Sequence, residues 1–122
     1  MISLWKFDNK TPIYLQILDQ MILKIITGIY KPGEKLPSVR DLALETKTNP
    51  NTIQKALAEL ELQDFINTQR TNGKFVTNDL TLIHKHRHQL INEKIMFFSN
   101  EMKHLGITLE EIIEQLQQTK GK

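Results

Sequence analysis

The order of turn and helix-start signals between residues 28 and 76 constrains the fold of this chain more than any other feature. Gly28 and the dipeptide Pro32-Gly33 end an apolar helical pattern that begins near Pro12. Ser38 and Asn49 each open a new helix, because their side chains can cap free backbone N–H groups. Asn72-Gly73 then gives a strong hairpin signal. The predicted order is helix, helix, tight turn, helix and two-stranded ribbon.

Apolar residues recur at helical spacing in each of the three helical segments. The first segment, with Thr11 as its expected cap, has so wide an apolar surface that it should pack against its own domain and a partner. We also expect Trp5 to pack against this helix. The second helix runs to about Thr46 and the third, with Pro50 at its first position, to about Gln63. The apolar positions are Tyr14, Leu15, Ile17, Leu18, Met21, Ile22, Ile25, Ile26 and Ile29, then Val39, Leu42 and Ala43, then Ile53, Ala56, Leu57 and Leu60.

Short β-type pairs flank the hairpin signal. Phe65-Ile66 precedes it and Phe75-Val76 follows it. Three helices followed by such a ribbon form a winged helix-turn-helix, which we assign to residues 8–78. The predicted fold class is mainly α with a small β-ribbon, and a two-helix dimerisation tail follows over residues 80–118.

The tail carries two helical patterns. Residues 80–104 form a long helical pattern, five apolar residues between 91 and 105 form a heptad seam, and Gly106 ends the helix. Thr108 and Glu111 form a capping box for a shorter helix whose apolar residues should face inward. Because two such helices enclose little by themselves, we expect the seam to bind a second copy of the chain. The seam residues are Ile91, Ile95, Phe98, Met102 and Leu105, and the inward residues of the shorter helix are Leu109, Ile112, Ile113 and Leu116.

The charges are unevenly distributed, although the net charge is only +2. Residues 46–58 and 66–78 contain no Asp or Glu, while the whole chain has 14. These two segments do contain Lys47, Lys55, Arg70 and Lys74, which could place positive potential on one face and suit a polyanion. Chance clustering on a polar surface explains the charges equally well, so the charges alone do not distinguish a polyanion-binding face from an ordinary surface.

The composition disfavours several other classes of protein. The chain has no cysteine, which excludes disulfides and thiolate metal sites and is compatible with a reducing cytoplasm. Polar residues interrupt the most apolar segment, 13–30, so no membrane span is predicted, and the N-terminus does not resemble a signal peptide. No phosphate-binding loop and no nucleophile with a neighbouring base stands out. We expect a cytoplasmic protein that is not an enzyme and uses no cofactor.

The start of the third helix is small, polar and free of carboxylates. With the apolar positions in the core, Asn51, Thr52, Gln54 and Lys55 point outward. The second helix of a helix-turn-helix enters the major groove at this end, where its dipole favours phosphate and a carboxylate would be repelled. The alternative is that these residues only cap the helix and are otherwise exposed to solvent. Because a helix precedes them and a ribbon follows, as in a winged helix-turn-helix, we favour DNA contact.

The chain resembles the GntR family of bacterial transcription regulators over about residues 8–78, and its short tail is most similar to the YtrA subfamily. The matching segments are PIYLQI (12–17), Gly28, PGEKLPSVRDLA (32–43), NPNTIQKAL (49–57), Leu60-Glu61, Phe65-Ile66 and residues 73–76. The resemblance implies that the arginine after Pro-Ser, the start of the recognition helix and the wing contact operator DNA. By position these are Arg40, Asn49, Asn51, Thr52, Gln54 and Arg70, together with Ser38, Lys55, Gly73 and Lys74. For Arg40 the alternative is a salt bridge to an acid such as Glu45.

The chain departs from the family pattern at four positions. Lys47 and Thr48 stand where the turn usually has glycine and an apolar residue, so we expect Lys47 to adopt a strained turn or to contact phosphate. Asp64 replaces the usual glycine before Phe65, and Asp tolerates a left-handed conformation. Thr71 follows Arg70 where the wing usually has glycine, which leaves open which base the wing reads.

Two further motifs have competing interpretations. On a helix His84 and His88 share a face while His86 points elsewhere, so at most two metal ligands converge. Because the heptad seam continues through His88 and His84, we favour a polar end of that seam over a metal site, with pH sensitivity as a further alternative. The Met and Phe residues of KIMFFSNEM (94–102) could line a pocket, but core packing is favoured.

The sequence thus predicts a sequence-specific DNA-binding regulator that acts as a homodimer on an inverted repeat. The family resemblance implies that it represses transcription. Its partners would be double-stranded DNA and a second copy, and the existence of a small-molecule effector is left open. The alternative is a winged-helix module that binds another protein through its helical tail.

Overall fold

The computed structural model describes residues 5–70 and 72–120, and this part of the chain forms two compact units that divide between His84 and Lys85. The elements are α1 (Ile13–Ile26), α2 (Val39–Thr46), α3 (Pro50–Leu62), β1 (Ile66–Gln69), β2 (Gly73–Val76), α4 (Leu80–His104) and α5 (Leu109–Thr119). The predicted mainly α fold with a small β-ribbon is confirmed. The first turn of α4 belongs to the first unit, where Ile83 is buried. The functional boundaries at 8–78 and 80–118 stay a prediction.

α3 lies at the centre of the first unit, because it packs against α1, α2 and β1. Its apolar positions are the predicted ones, and full burial of a large apolar side chain stabilises a fold by about 1.5–3 kcal/mol. This packing fixes which face of α3 remains outside. The most deeply buried side chains of the core are Ile17, Met21, Ile25, Leu42, Ile53, Leu57, Leu60, Phe65 and Val76.

The predicted helix starts are confirmed for α2 and α3. Ser38 Oγ accepts a hydrogen bond from the backbone N–H of Asp41 (3.1 Å), and Asn49 Oδ1 accepts one from the N–H of Asn51 (2.8 Å). Pro50 occupies the first position of α3, as predicted. Local capping chemistry therefore sets the boundaries of the helix-turn-helix.

The predicted cap of α1 is wrong. The helix begins at Ile13, Pro12 is its capping residue, and no side chain caps it. The Thr11 carbonyl instead accepts a hydrogen bond from Gln16 Nε2 (2.8 Å), and the same amide group bonds the backbone of Asp8. The chain before α1 is thus held by a side chain from within the helix.

The ribbon has the predicted antiparallel pairing, with Ile66 opposite Val76 and Gln69 opposite Gly73. A third stretch, which was not predicted, pairs with the other side of β2. The Leu36 N–H donates to the Lys74 carbonyl and the Val76 N–H donates to the Glu34 carbonyl, each at 2.9 Å. The segment before α2 therefore supports the ribbon.

The second unit buries few of its own apolar side chains. The Thr108–Glu111 capping box is present, but only Ile112 of the four predicted inward residues is buried. Leu109, Ile113 and Leu116 are 65%, 47% and 53% exposed, so the two helices of one chain do not enclose them, and their inward assignment stays a prediction for the dimer. A unit of two helices has too little chain to cover several faces.

The apolar residues of α4 are also open. The prediction that KIMFFSNEM (94–102) packs in a core is wrong within the described chain, since Met96 and Phe97 are 62% and 67% exposed. Of the seam, Ile91, Ile95, Phe98 and Leu105 are exposed and Met102 is half-buried. Along residues 5–70 and 72–120, no helix is both long and apolar enough to cross a bilayer.

Candidate nucleic-acid interface

The outer face of the start of α3 carries the polar residues that the sequence singled out. Asn51, Gln54 and Lys55 are exposed, and Thr52 is half-buried. Asn49 is exposed too, but its side-chain oxygen already caps the helix. This surface presents amide, hydroxyl and ammonium groups at a helix N-terminus, where the helix dipole attracts anions.

Three of these residues line one shallow cavity with the first turn of α1. The cavity has a volume of about 300 Å³ and is lined by Ile13, Tyr14, Asn51, Thr52 and Lys55. Lys55 Nζ lies 4.0 Å from the centroid of the Tyr14 ring, a cation–π contact that holds the ammonium beside the start of α3. The helical pattern placed Tyr14 among the apolar positions of the first helix, and its contact with Lys55 was not predicted.

Arg40 lies in the first turn of α2 with its side chain exposed. Among the described residues it makes no hydrogen bond and no ion pair. The alternative salt bridge to Glu45 is absent there, because Glu45 Oε1 instead accepts a hydrogen bond from Trp5 Nε1 at 3.3 Å. The Arg40 guanidinium is therefore available to a ligand. Ser38, by contrast, uses its hydroxyl oxygen to cap α2.

The predicted wing residues differ in how far their side chains are already engaged. Lys74 Nζ lies 3.5 Å from Glu61 Oε1 and donates to Thr68 Oγ1 at 2.8 Å. The Thr68 hydroxyl also bonds Glu61, and this bond, with the Lys74 charge, lowers the pKa of that carboxyl. Lys74 of β2 thus balances an acid near the end of α3, whereas Arg70 is exposed at the end of the ribbon.

Gly73 has a structural reason to be glycine. Its φ is +97°, and an added Cβ would lie 3.2 Å from Lys35 Cε. Glycine adopts such a φ without the steric cost that other residues meet. Thr71, the departure noted in the wing, lies outside the described residues.

Both unusual turn residues next to α3 adopt the left-handed conformation. Lys47 has φ 55° and Asp64 has φ 65°. The strained turn expected at Lys47 is confirmed, as is the tolerance expected of Asp64. Thr46 and Thr48 add a hydroxyl–hydroxyl hydrogen bond of 2.7 Å across the turn, which stabilises the connection from α2 to α3.

The structure brings Asn51, Thr52 and Lys55 together at one cavity and leaves Arg40 and Arg70 on other elements. The histidines lie on α4, and no group of three or more possible metal ligands comes together in residues 5–70 and 72–120. The interface candidate is therefore the α3 start, the first turn of α2 and the ribbon end.

Comparison with known proteins yields a consistent set of relatives. Residues 13–76 match the family described as bacterial regulatory proteins, gntR family. The HTH-type transcriptional repressor YtrA of Bacillus subtilis is 38% identical over 111 residues, covering 90% of this chain and 85% of the relative.

Two solved structures extend this result. A GntR family transcriptional regulator from Listeria monocytogenes has a TM-score of 0.86 and 41% identity, over 92% of this chain and 98% of that one. The DNA-binding domain of AraR in complex with operator ORX1 has a TM-score of 0.55 and 25% identity, over 59% of this chain and 93% of that one.

Proposed function

This chain belongs to the GntR family of bacterial regulatory proteins, and we propose that it represses transcription as a homodimer on an inverted-repeat operator. As a member of this family it is a DNA-binding regulator of transcription and not an enzyme. The relative named as a repressor aligns along most of both chains, which supports the repressor role. Because its target is chromosomal DNA, we place its action in the cytoplasm.

One observation carries the proposal: the start of α3 is exposed and free of carboxylates, and α2 carries an exposed cation, Arg40, that has no partner in the described chain. Residues 46–58 contain no acid, and Asn51, Gln54 and Lys55 are exposed there. Arg40 has no partner in the described chain, so its fork of N–H groups can bind phosphate or guanine. We assign base reading to Asn51, Thr52 and Gln54, and phosphate contact to Lys55 and Arg70.

The remaining predicted contacts receive smaller parts in the proposal. Asn49 and Ser38 use their side-chain oxygens as caps, so they would contribute through the position of their helices. Lys74 is paired with Glu61, and Gly73 shapes the turn of the ribbon. We therefore expect substitutions at these four positions to affect folding of the interface more than direct recognition.

The exposed seam of α4 supports the homodimer. Ile91, Ile95, Phe98 and Leu105 are 38%, 56%, 38% and 76% exposed, although they follow a heptad spacing. Large exposed apolar patches on soluble proteins mark interaction sites. A two-fold pair of seams would place two recognition helices in successive major grooves, roughly 34–36 Å apart, and so select an inverted repeat.

The test adds the protein to the DNA upstream of its own gene and, separately, to a random duplex of equal length. Fluorescence anisotropy of the DNA measures binding in both titrations. We expect preferential binding to the upstream fragment and a steep loss of affinity with salt, because phosphate contacts release counterions. Arg40→Ala should weaken binding roughly tenfold or more, the effect of losing one bidentate contact.

Arg87→Ala is the matched control, since it removes the same charge from an exposed position of α4. The thermal midpoint should be nearly unchanged in both variants. Equal affinity for upstream and random duplex would contradict sequence-specific regulation and favour the protein-interaction alternative. Unchanged affinity in Arg40→Ala would remove that residue from the interface.

We further propose that a small molecule binds the protein and changes its affinity for the operator.

A further inference from the structure

A second, larger cavity lies on α1, apart from the surface assigned to DNA. Its volume is about 670 Å³, within the range of small-molecule sites, and its lining residues are Lys6, Gln20, Leu23, Lys24, Thr27 and Ile29. Leu23 and Ile29 are 46% and 53% exposed, so two aliphatic side chains form an open apolar wall. Among the residues that the structure describes, two lysines and no acid line this cavity.

Lys24 is the unusual member of the lining. Its side chain is buried, and Nζ lies 3.6 Å from the Trp5 ring centroid and 5.6 Å from that of Tyr30. Within residues 5–70 and 72–120, no carboxylate is close enough to form an ion pair with it. Burial lowers the pKa of Lys24, and the more distant Glu45 partly opposes this change. A buried ammonium that lies on aromatic faces and forms no ion pair among the described residues gains from an anionic ligand.

We propose that this cavity is an effector site for a small amphipathic anion, an aliphatic carboxylate. Its carboxylate contacts the ammonium groups of Lys24 and Lys6, and its chain lies on Leu23 and Ile29. A compact cavity with a cationic end and an aliphatic wall fits both parts of such a ligand. The other lining groups are already engaged: the Gln20 amide bonds the backbone of Lys6, and the Thr27 hydroxyl donates to the Leu23 carbonyl.

A short chain of contacts links this cavity to the helix-turn-helix. The Lys24 ammonium lies on the Trp5 ring, and Trp5 Nε1 donates to Glu45 Oε1 at 3.3 Å. Glu45 lies in the last turn of α2, directly before the turn at Lys47 that leads into α3. A ligand that draws the ammonium from the indole changes the support of this turn. Its effect on operator affinity rests on the proposed function, whereas binding itself does not.

Trp5 is the only tryptophan of the chain, so its fluorescence reports on this cavity. The experiment titrates the intact protein with octanoate, with neutral octanol and with octyltrimethylammonium, and repeats each titration by calorimetry. We expect saturable binding of octanoate, weaker binding of octanol and none of the cation. Lys24→Met should weaken octanoate binding roughly tenfold, because a charge-assisted contact is lost.

Two further variants make the test specific. Ile29→Asp keeps Lys24 but places a carboxylate on the apolar wall, so it should also weaken octanoate binding. Lys103→Met, at an exposed position of α4, is the matched control and should bind as the unchanged protein does. Circular dichroism should show the same helix content in all three variants.

Several outcomes would overturn the proposal. These are absence of saturable octanoate binding, equal binding of the cationic analogue, or unchanged binding in Lys24→Met. Trp5 fluorescence that depends on protein concentration but not on octanoate would assign the cavity to a second copy of the chain and would equally contradict the proposal.

Operator binding is then measured with and without octanoate. A change in affinity that Lys24→Met removes supports the coupling, and an unchanged affinity overturns the effector role. Failure to bind any operator would instead contradict the proposed function, while calorimetry still decides whether the cavity binds the anion.

Discussion

The two units of this chain use apolar side chains in opposite ways. In the first unit Ile53 and Leu60 are fully buried, and the residues that the function would use are polar and exposed. In the second unit Ile95 and Phe97 are 56% and 67% exposed, and a single residue of α5, Ile112, is buried. The comparison indicates that the first unit is stabilised by its own core, whereas the second leaves most of its large apolar side chains exposed in the single chain.

The largest expected effect is the loss of the first core. Phe65 is fully buried between α3 and the ribbon, so Phe65→Ala should lower the free energy of unfolding by about 3–5 kcal/mol. Chemical denaturation followed by Trp5 fluorescence measures this change. Phe97→Ala is the control in the second unit and should leave that transition in place. Equal destabilisation by both variants would break the contrast between the units.

An intermediate effect is expected at the seam of α4. Ile95→Glu places an unpaired charge in the proposed interface and should weaken the dimer roughly a hundredfold or more. Sedimentation measures the association, and operator binding should weaken in parallel. Asn92→Glu adds the same charge at an exposed position of the same helix and should leave the dimer intact. A dimer that survives Ile95→Glu would place the interface elsewhere.

The smallest effect is a pH dependence confined to the first unit, which contains both tyrosines of the chain. Burial, with the charges of Glu45 and Glu34, raises the pKa of Tyr30 to about 12. An unfolded tyrosine titrates near pH 10. The stability that Tyr30 contributes is therefore fully present below about pH 10 and is lost as the pH rises through 12.

Tyr30→Phe tests this expectation, because phenylalanine does not titrate. Thermal unfolding between pH 9 and pH 12 should show a shallower loss of stability in the variant. The difference should be about the pH-dependent stability that one titrating group contributes. Absorbance of tyrosinate in the unchanged protein gives an independent readout. Ionisation of Tyr30 at the same pH as a free tyrosine would contradict the raised pKa.

Local signals in the sequence predicted most of the fold. Ser38, Asn49 and the Thr108–Glu111 pair set helix starts through hydrogen bonds between residues at most a few positions apart, and Pro50 favours the start of α3 through its fixed φ. Such chemistry is visible in a sequence because both partners lie within one turn. The helix that was expected over 80–104 accordingly has those bounds in the structure.

The contacts that the sequence did not predict join residues far apart in the chain. Trp5 and Glu45 are 40 positions apart, and Lys74 and Glu61 are 13 apart. Helical spacing identifies Tyr14 as an apolar position of the first helix but does not identify its partner, and its ring contacts Lys55. Fold boundaries could thus be predicted, while the partners of the candidate site residues required the packed structure.

The two left-handed residues that flank α3 have a practical consequence for protein engineering. Lys47 and Asp64 both have a positive φ, and neither is a glycine. Glycine at such positions relieves about 1 kcal/mol of steric cost in the folded state. Part of this gain is lost because glycine has more conformational freedom in the unfolded chain. A more heat-tolerant variant could therefore be sought by glycine substitution at Lys47 and Asp64, which leaves the exposed polar side chains at the start of α3 as they are.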